Sequence, residues 1–126
     1  MLAGKDPYSA YQRVEFDARV NGATSAQLVH ICYDQLISAL STALLANERK
    51  DATLKSGSLT RALTSLTALQ MGIDPDSEMA EILSGFYGVA RKAILESSID
   101  FDPECLRTIR EDFTEIRNAL FPSSIA

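Results

Sequence analysis

Few side chains of this 126-residue chain are of the types that catalyse reactions or bind metals. A carboxylate-bridged metal site in a helical protein needs inward glutamates and Glu-x-x-His pairs. The chain has one histidine, His30, and no glutamate three residues before it, so we expect a surface histidine without an evident acidic partner. Asp74, Asp76 and Glu78 form a short acidic cluster. A proline-containing turn followed by the acids of a helix start explains that cluster.

Nucleophilic catalysis has no better support in the sequence. No serine lies in a Gly-x-Ser-x-Gly turn. Cys32 and Cys105 lack CxxC spacing and fall at apolar helical positions, so we expect both to be small buried hydrophobic residues rather than a disulfide. The sequence therefore predicts no catalytic residue, no metal site and no cofactor, and the chain is not expected to be an enzyme.

The charge of the chain limits the classes of partner that it can bind. Twelve basic and 17 acidic residues give a net charge of −5 and a sequence pI near 4.8, which argues against binding to nucleic acid or to an anionic membrane. The N-terminus lacks the apolar segment of a secretory signal. Polar residues interrupt every apolar stretch, so we expect that none reaches the length needed to cross a bilayer and that the chain has no membrane span. The predicted location is the cytoplasm.

Apolar residues recur at helical spacing, without the alternation of strands, and predict four helices. Their expected bounds are 24–47, 51–72, 77–97 and 102–121. Helices of about 20 residues with short connections predict an all-α fold, an antiparallel four-helix bundle. The bundle is expected to span residues 23–122, after a leader or cap segment at 1–22 and before a short tail at 123–126.

Local signals refine the helix ends. Asp102 is the expected N-cap of the fourth helix, and Ser77 that of the third. Gly57 is expected to weaken the start of the second helix, so that it begins properly only at Ser58. Gly72 suits the position after its last turn. The core face predicted for the third helix is Met79, Leu83, Phe86, Ala90 and Ile94, supplemented by Ile82, Val89 and Ala93.

The first helix carries two apolar rows where a soluble helix normally shows one. The first row is Leu28, Cys32, Leu36, Ala39 and Ala43. The second row is Tyr33, Ile37, Leu40 and Leu44, rotated by roughly 100° around the helix. The second row must contact another part of the chain, a second copy or a different protein, which favours a binding module over an enzyme.

Short motifs along nearly the whole chain resemble those of the flagellar secretion chaperone family FliS. The matching residues, in order, are Tyr8, Tyr11 and Gln12; Leu28 with Tyr33-Asp34; Phe86-Tyr87; Arg91-Lys92; and Ile116-Arg117-Asn118-Ala119-Leu120. Three positions depart from the family pattern. Thr24-Ser25 stands where the family has Ser-Pro, Gln35 replaces a glycine and Leu120 a tryptophan.

The resemblance implies a four-helix bundle that binds the disordered C-terminal segment of flagellin, prevents its premature polymerisation and delivers it to the export apparatus, with the export gate as a further partner. It also implies that the N-terminal segment covers a groove in the free protein. We expect Tyr8 and Tyr11 to act as a removable cover over the second row. The expected partner-binding residues are Tyr8, Tyr11, Gln12, Leu28, Tyr33, Ile37, Leu40, Leu44 and Tyr87.

Other interpretations remain open at this stage. The third or fourth helix could bury the second row permanently, because four-helix cores need wide apolar stripes. Tyr33 and Tyr87 could be peripheral core residues, and the leader could be an ordinary docked segment. The chain could also be a monomer or a weak homodimer, a self-associating structural bundle, or a chaperone for another secreted protein.

Overall fold

A computed structural model of the chain describes residues 25–122. Within this range it forms four helices, and no strand occurs in it. They are α1 (Ser25–Glu48), α2 (Ala52–Met71), α3 (Ala80–Ser97) and α4 (Pro103–Leu120). The predicted all-α four-helix bundle is confirmed. The leader at 1–22, with its expected cap, and the tail at 123–126 lie outside the described residues.

Side-chain contacts between helices show the relative directions of two pairs. Along α1 and α4, Ser41 accepts a hydrogen bond from Arg110 and Asp34 accepts one from Arg117. α1 and α4 therefore run antiparallel. Along α2, the early Lys55 lies over the ring of Phe101, just beyond α3, whereas the late Gln70 bonds Arg91 within α3.

The other two pairs of consecutive helices, α1 with α2 and α3 with α4, are also antiparallel. Residues 49–51 join α1 to α2 and residues 98–102 join α3 to α4, and connections this short place successive helices side by side in opposite directions. Consecutive helices contact each other, and α4 contacts α1. The four helices therefore form a closed antiparallel ring in which α1 and α3 lie diagonally opposite.

The core is built around α1, whose contact with α2 is the most extensive in the bundle and which also packs on α4. The buried alanines of α1, which are Ala39, Ala43 and Ala46, are small enough for a neighbouring helix to approach closely. The large side chains with almost no exposed surface come from all four helices: Tyr33, Leu36 and Leu40, then Leu66, then Ile94, then Leu106 and Phe113.

The apolar length of α1 was underestimated from the sequence. Within the described residues, Ser25–Glu48 is one helix long and apolar enough, by length and composition, to cross a membrane. The expectation that no stretch reaches that length was wrong. In the bundle, α1 lies between α2 and α4, and nine of its residues are buried. Its apolar composition follows from packing on two sides.

Side chains cap two helices at their starts. Asp102 Oδ1 accepts a hydrogen bond from the backbone N–H of Cys105 at 3.1 Å, as predicted. Asp51 Oδ1 accepts one from the N–H of Leu54 at 3.0 Å, so α2 begins at Ala52 and continues through Gly57. The expected late start of α2 was wrong, because the cap offsets the glycine.

The connection between α2 and α3 is longer than expected. Gly72 ends α2 with φ −87°, so its ability to adopt a left-handed conformation is not used. Ser77 Oγ accepts a hydrogen bond from the N–H of Met79 within a turn, and α3 begins only at Ala80. Ser77 therefore caps the turn before α3 rather than the helix itself.

The core face predicted for α3 was partly wrong. Ala90 and Ile94 are buried as expected. Met79, Ile82 and Val89 are instead 49%, 64% and 72% exposed. Among the described helices the backbone of α3 lies close only to α2 and α4, and the contact is sparse. α3 therefore buries a narrow face, and Met79, Ile82 and Val89 stay outside the core.

The turn after α1 contains a backbone conformation that is unfavourable for its residue. Lys50 has φ 57°, the left-handed region that glycine occupies most easily. The N–H of Asp51 donates to the carbonyl of Ala46 at 2.9 Å, closing a helix end of the Schellman type. Lys50 adopts this left-handed conformation at a free-energy cost that a glycine would not have.

We therefore expect Lys50→Gly to raise the free energy of unfolding by about 0.5–1 kcal/mol, because relief of the left-handed strain exceeds the extra freedom of glycine in the unfolded chain. Urea unfolding measures the change. Lys50→Ala, which removes the same charge and keeps the strain, is the control. Equal stability of the two variants would contradict this account of the turn.

Candidate partner-binding site

The structure divides the second row of α1 between core and surface. Tyr33, Leu40 and Leu44 belong to the hydrophobic core, with 0%, 0% and 5% exposure. Ile37 is half-buried and packs against that core. A partner can therefore reach Ile37 directly, whereas the other three side chains form the apolar layer beneath the surface. Leu28, from the first row, is half-buried at the start of α1.

Tyr33 and Tyr87 meet in the interior. Their hydroxyl oxygens are 2.7 Å apart, and either group can be the donor. Both rings pack on Phe113, with centroid distances of 5.7 Å and 6.0 Å. This hydrogen bond links α1 to α3 across the bundle, and the sequence did not predict it.

Burial governs the ionisation of this pair. It raises the pKa of Tyr33 far above the ordinary tyrosine value, and the hydrogen bond to Tyr87 raises it further. The pKa of Tyr87 is also raised, chiefly by burial. Both hydroxyls therefore stay neutral at physiological pH, and each satisfies the other where water is excluded. Among the described residues, no buried side-chain nitrogen or oxygen lacks a partner.

Ile37 lies on α1 between two polar links to α4. Arg117 donates to Asp34 Oδ1 at 3.0 Å one turn before it, and Arg110 donates to Ser41 Oγ at 3.3 Å one turn after it. These links hold the two helices together on either side of the isoleucine. Ile37 thus lies at the edge of the α1–α4 contact, between these two links.

His30 anchors the end of α4. Its ring stacks on Phe121 at a centroid distance of 4.5 Å and an interplanar angle of 8°. Its Nε2 is 3.7 Å from Asp34 Oδ2. The expectation that His30 has no acidic partner was wrong, because the carboxylate lies one helical turn away on the same face.

The remaining candidate residues for chemistry are structural. Cys32 and Cys105 are unpaired, and burial raises the pKa of both thiols, which keeps them protonated and weakly nucleophilic. Asp74 Oδ1 accepts a hydrogen bond from the N–H of Asp76 at 2.9 Å, as in a turn. Tyr8, Tyr11 and Gln12 lie outside the described residues.

The tyrosine pair gives a direct energetic prediction. Tyr33→Phe or Tyr87→Phe alone leaves one buried hydroxyl without a partner, and we expect each to lower the free energy of unfolding by about 1–3 kcal/mol. The double variant removes both hydroxyls and should lose less than the sum of the two single losses. Urea unfolding of the four proteins measures the coupling. Additive losses would show that the hydrogen bond does not couple the two side chains.

Comparison with known proteins agrees with this architecture. The sequence model of the family described as "Flagellar protein FliS" matches residues 7–120. The chain is 26% identical over 113 residues to the "Flagellar secretion chaperone FliS" of Salmonella typhimurium, a match covering 87% of this chain and 84% of that protein. The family match includes all four helices of the bundle, and the chain belongs to the FliS family of flagellar proteins.

Proposed function

We propose that this chain is a cytoplasmic chaperone that binds the disordered C-terminal segment of flagellin and prevents its premature polymerisation. It then supports delivery of flagellin to the flagellar type III export apparatus, with the export gate as a further contact. The observation that carries the proposal is the family match over residues 7–120. The relative from Salmonella typhimurium is named as a flagellar secretion chaperone, which supports the same function here.

The bundle suits the binding of a disordered segment. Its core is closely packed, and its buried polar side chains within the described residues have partners, so the folded scaffold is ready before the client arrives. An amphipathic client segment can place apolar side chains against such a surface and gain affinity from burial. A rigid scaffold limits the ordering cost to the client.

We assign the client contact to two places on α1 and to the leader. Ile37 offers a half-buried apolar side chain at the edge of the α1–α4 contact, and Leu28 another in the first turns of α1. Tyr33, Leu40 and Leu44 support this surface from beneath, and so does Tyr87 through its hydroxyl.

We propose that, in the free protein, Tyr8 and Tyr11 cover the second row of α1 around Ile37 until the client displaces them. A tyrosine ring can bury its apolar face while its hydroxyl stays in water, which suits a reversible contact.

Calorimetric titration with a peptide of the last ~40 residues of flagellin from the same organism tests the function, since a disordered client gains affinity by covering a large surface. We expect binding with a large negative heat-capacity change. Ile37→Glu should weaken it strongly, because a charge would enter an apolar contact.

The matched control is Leu45→Glu, the same change at a 42% exposed position of the same helix. We expect this variant to bind like the unmodified chain. Circular dichroism should show both variants folded. No binding by the unmodified protein would contradict a flagellin client and direct the search to another secreted protein.

The cover hypothesis predicts the effect of shortening the leader. Deletion of residues 1–16 should leave the bundle folded and increase affinity for the flagellin peptide, because the client no longer competes with Tyr8 and Tyr11. Titration and thermal unfolding measure the two effects. An affinity that is unchanged or lower, together with severe loss of stability, would show that the leader is an ordinary docked segment.

A further inference from the structure

Two arginines of α4 lie on either side of Ile37, along the line where α1 and α4 meet. Asp34 accepts a hydrogen bond from Arg117. Ser41 lies seven residues later in α1, and it accepts one from Arg110, which lies seven residues earlier in α4. Equal steps in opposite directions show that the two antiparallel helices keep one register. Ile37 therefore lies between two guanidinium groups.

The two arginines differ in how their charge is compensated. Arg117 forms an ion pair with Asp34 at 3.0 Å. Arg110 donates only to the neutral hydroxyl of Ser41, at 3.3 Å, and it forms no ion pair with a carboxylate of residues 25–122. The contact between α1 and α4 is therefore neutral on one side of Ile37 and positively charged on the other.

Neither helix supplies a carboxylate near Arg110. Along α1, the nearest ones belong to Asp34 and Glu48, each seven residues from Ser41, or about 10 Å along the helix axis. Glu111 follows Arg110 directly, but successive side chains point in directions about 100° apart around a helix and do not face each other. The residues three and four positions away in α4 carry no negative charge: Leu106, Arg107, Phe113 and Thr114.

Arg110 also retains unused capacity to bind an anion. Its side chain is half-buried, so that water screens its charge less than at a fully exposed position. A guanidinium has five N–H donors, and a carboxylate can accept two of them in parallel. One turn of α1 separates Ser41, the partner of Arg110, from Ile37. This surface thus offers an apolar contact and a site for a carboxylate about one helical turn apart.

We propose that Arg110 binds an acidic side chain of the flagellin segment. This inference rests on the proposed function, in which that segment contacts the surface around Ile37. In a helical client, the acidic residue lies three or four positions from the apolar residue that packs on Ile37. Because Asp34 already neutralises Arg117, only one side of Ile37 attracts the carboxylate. Arg110 therefore sets the direction in which the client lies along α1 and α4.

Calorimetric titration of the full chain with a peptide of the last ~40 residues of flagellin tests this contact. Arg110→Gln removes the charge and keeps an N–H donor for Ser41. We expect affinity to fall about tenfold or more, because hydrogen bonds between charged groups are the stronger ones. Added salt should weaken binding by the unmodified chain more than binding by the variant.

The matched control is Arg61→Gln. Arg61 is also half-buried and also donates to a serine, Ser58 Oγ, at 3.3 Å. It lies on α2, diagonally opposite α4 in the bundle. We expect this variant to bind the peptide like the unmodified chain, and thermal unfolding should show that both variants are folded.

Changes in the peptide give a second measurement that leaves the chaperone intact. Each aspartate of the peptide is replaced by asparagine and each glutamate by glutamine, one at a time. One replacement should reproduce the loss caused by Arg110→Gln. The same replacement should have little further effect on binding to that variant, because the two changes remove one interaction.

The possible failures are distinguishable. If the unmodified chain binds the peptide, and neither Arg110→Gln nor any replacement in the peptide weakens binding, the proposed contact is wrong and the proposed function stands. Tighter binding by Arg110→Gln would also overturn the contact, because Arg110 would then hold a carboxylate of the leader rather than one of the client. No binding by the unmodified chain would contradict the flagellin client and this contact together.

Discussion

The bundle depends on the ability of α1 to bury two sides at once. Its buried alanines are small enough for a neighbouring helix to approach closely, and Tyr33, Leu36 and Leu40 are completely buried in the core. A helix placed in this way must be apolar over most of its circumference, which explains a composition long and apolar enough for a membrane span. The other three helices are arranged around α1, and their own apolar faces are correspondingly narrower.

The hydrogen bond between Tyr33 and Tyr87 joins α1 to α3, the two helices that lie diagonally opposite in the bundle. α1 and α3 lie opposite each other, and the two hydroxyls meet at 2.7 Å in the interior. A buried polar pair is favourable only when both groups are satisfied, so it favours one alignment of α3 over slipped alternatives. Because α3 contacts its neighbours sparsely, this bond and the link from Arg91 to α2 help to hold it in place, while its outer flank stays open.

Sequence patterns predicted the helices and their caps better than the contacts that each helix makes in the bundle. Asp102 was identified as a cap because N-capping is local, and the two rows of α1 follow from spacing alone. The exposure of Ile82 and Val89 could not be predicted, because an apolar residue on a helix flank looks the same whether or not a neighbouring helix covers it. The pairing of Tyr33 with Tyr87 depends on how two distant helices align, which single-residue patterns do not contain.

Family membership, the packed scaffold and the surface near Ile37 all support the proposal that the chain holds the C-terminal segment of flagellin away from assembly. Light scattering during polymerisation of purified flagellin tests this proposal. We expect one chaperone chain per flagellin to suppress filament growth, and flagellin that lacks its C-terminal segment not to associate with the chaperone. Filament growth unaffected by excess chaperone, or equal association with the shortened flagellin, would contradict it.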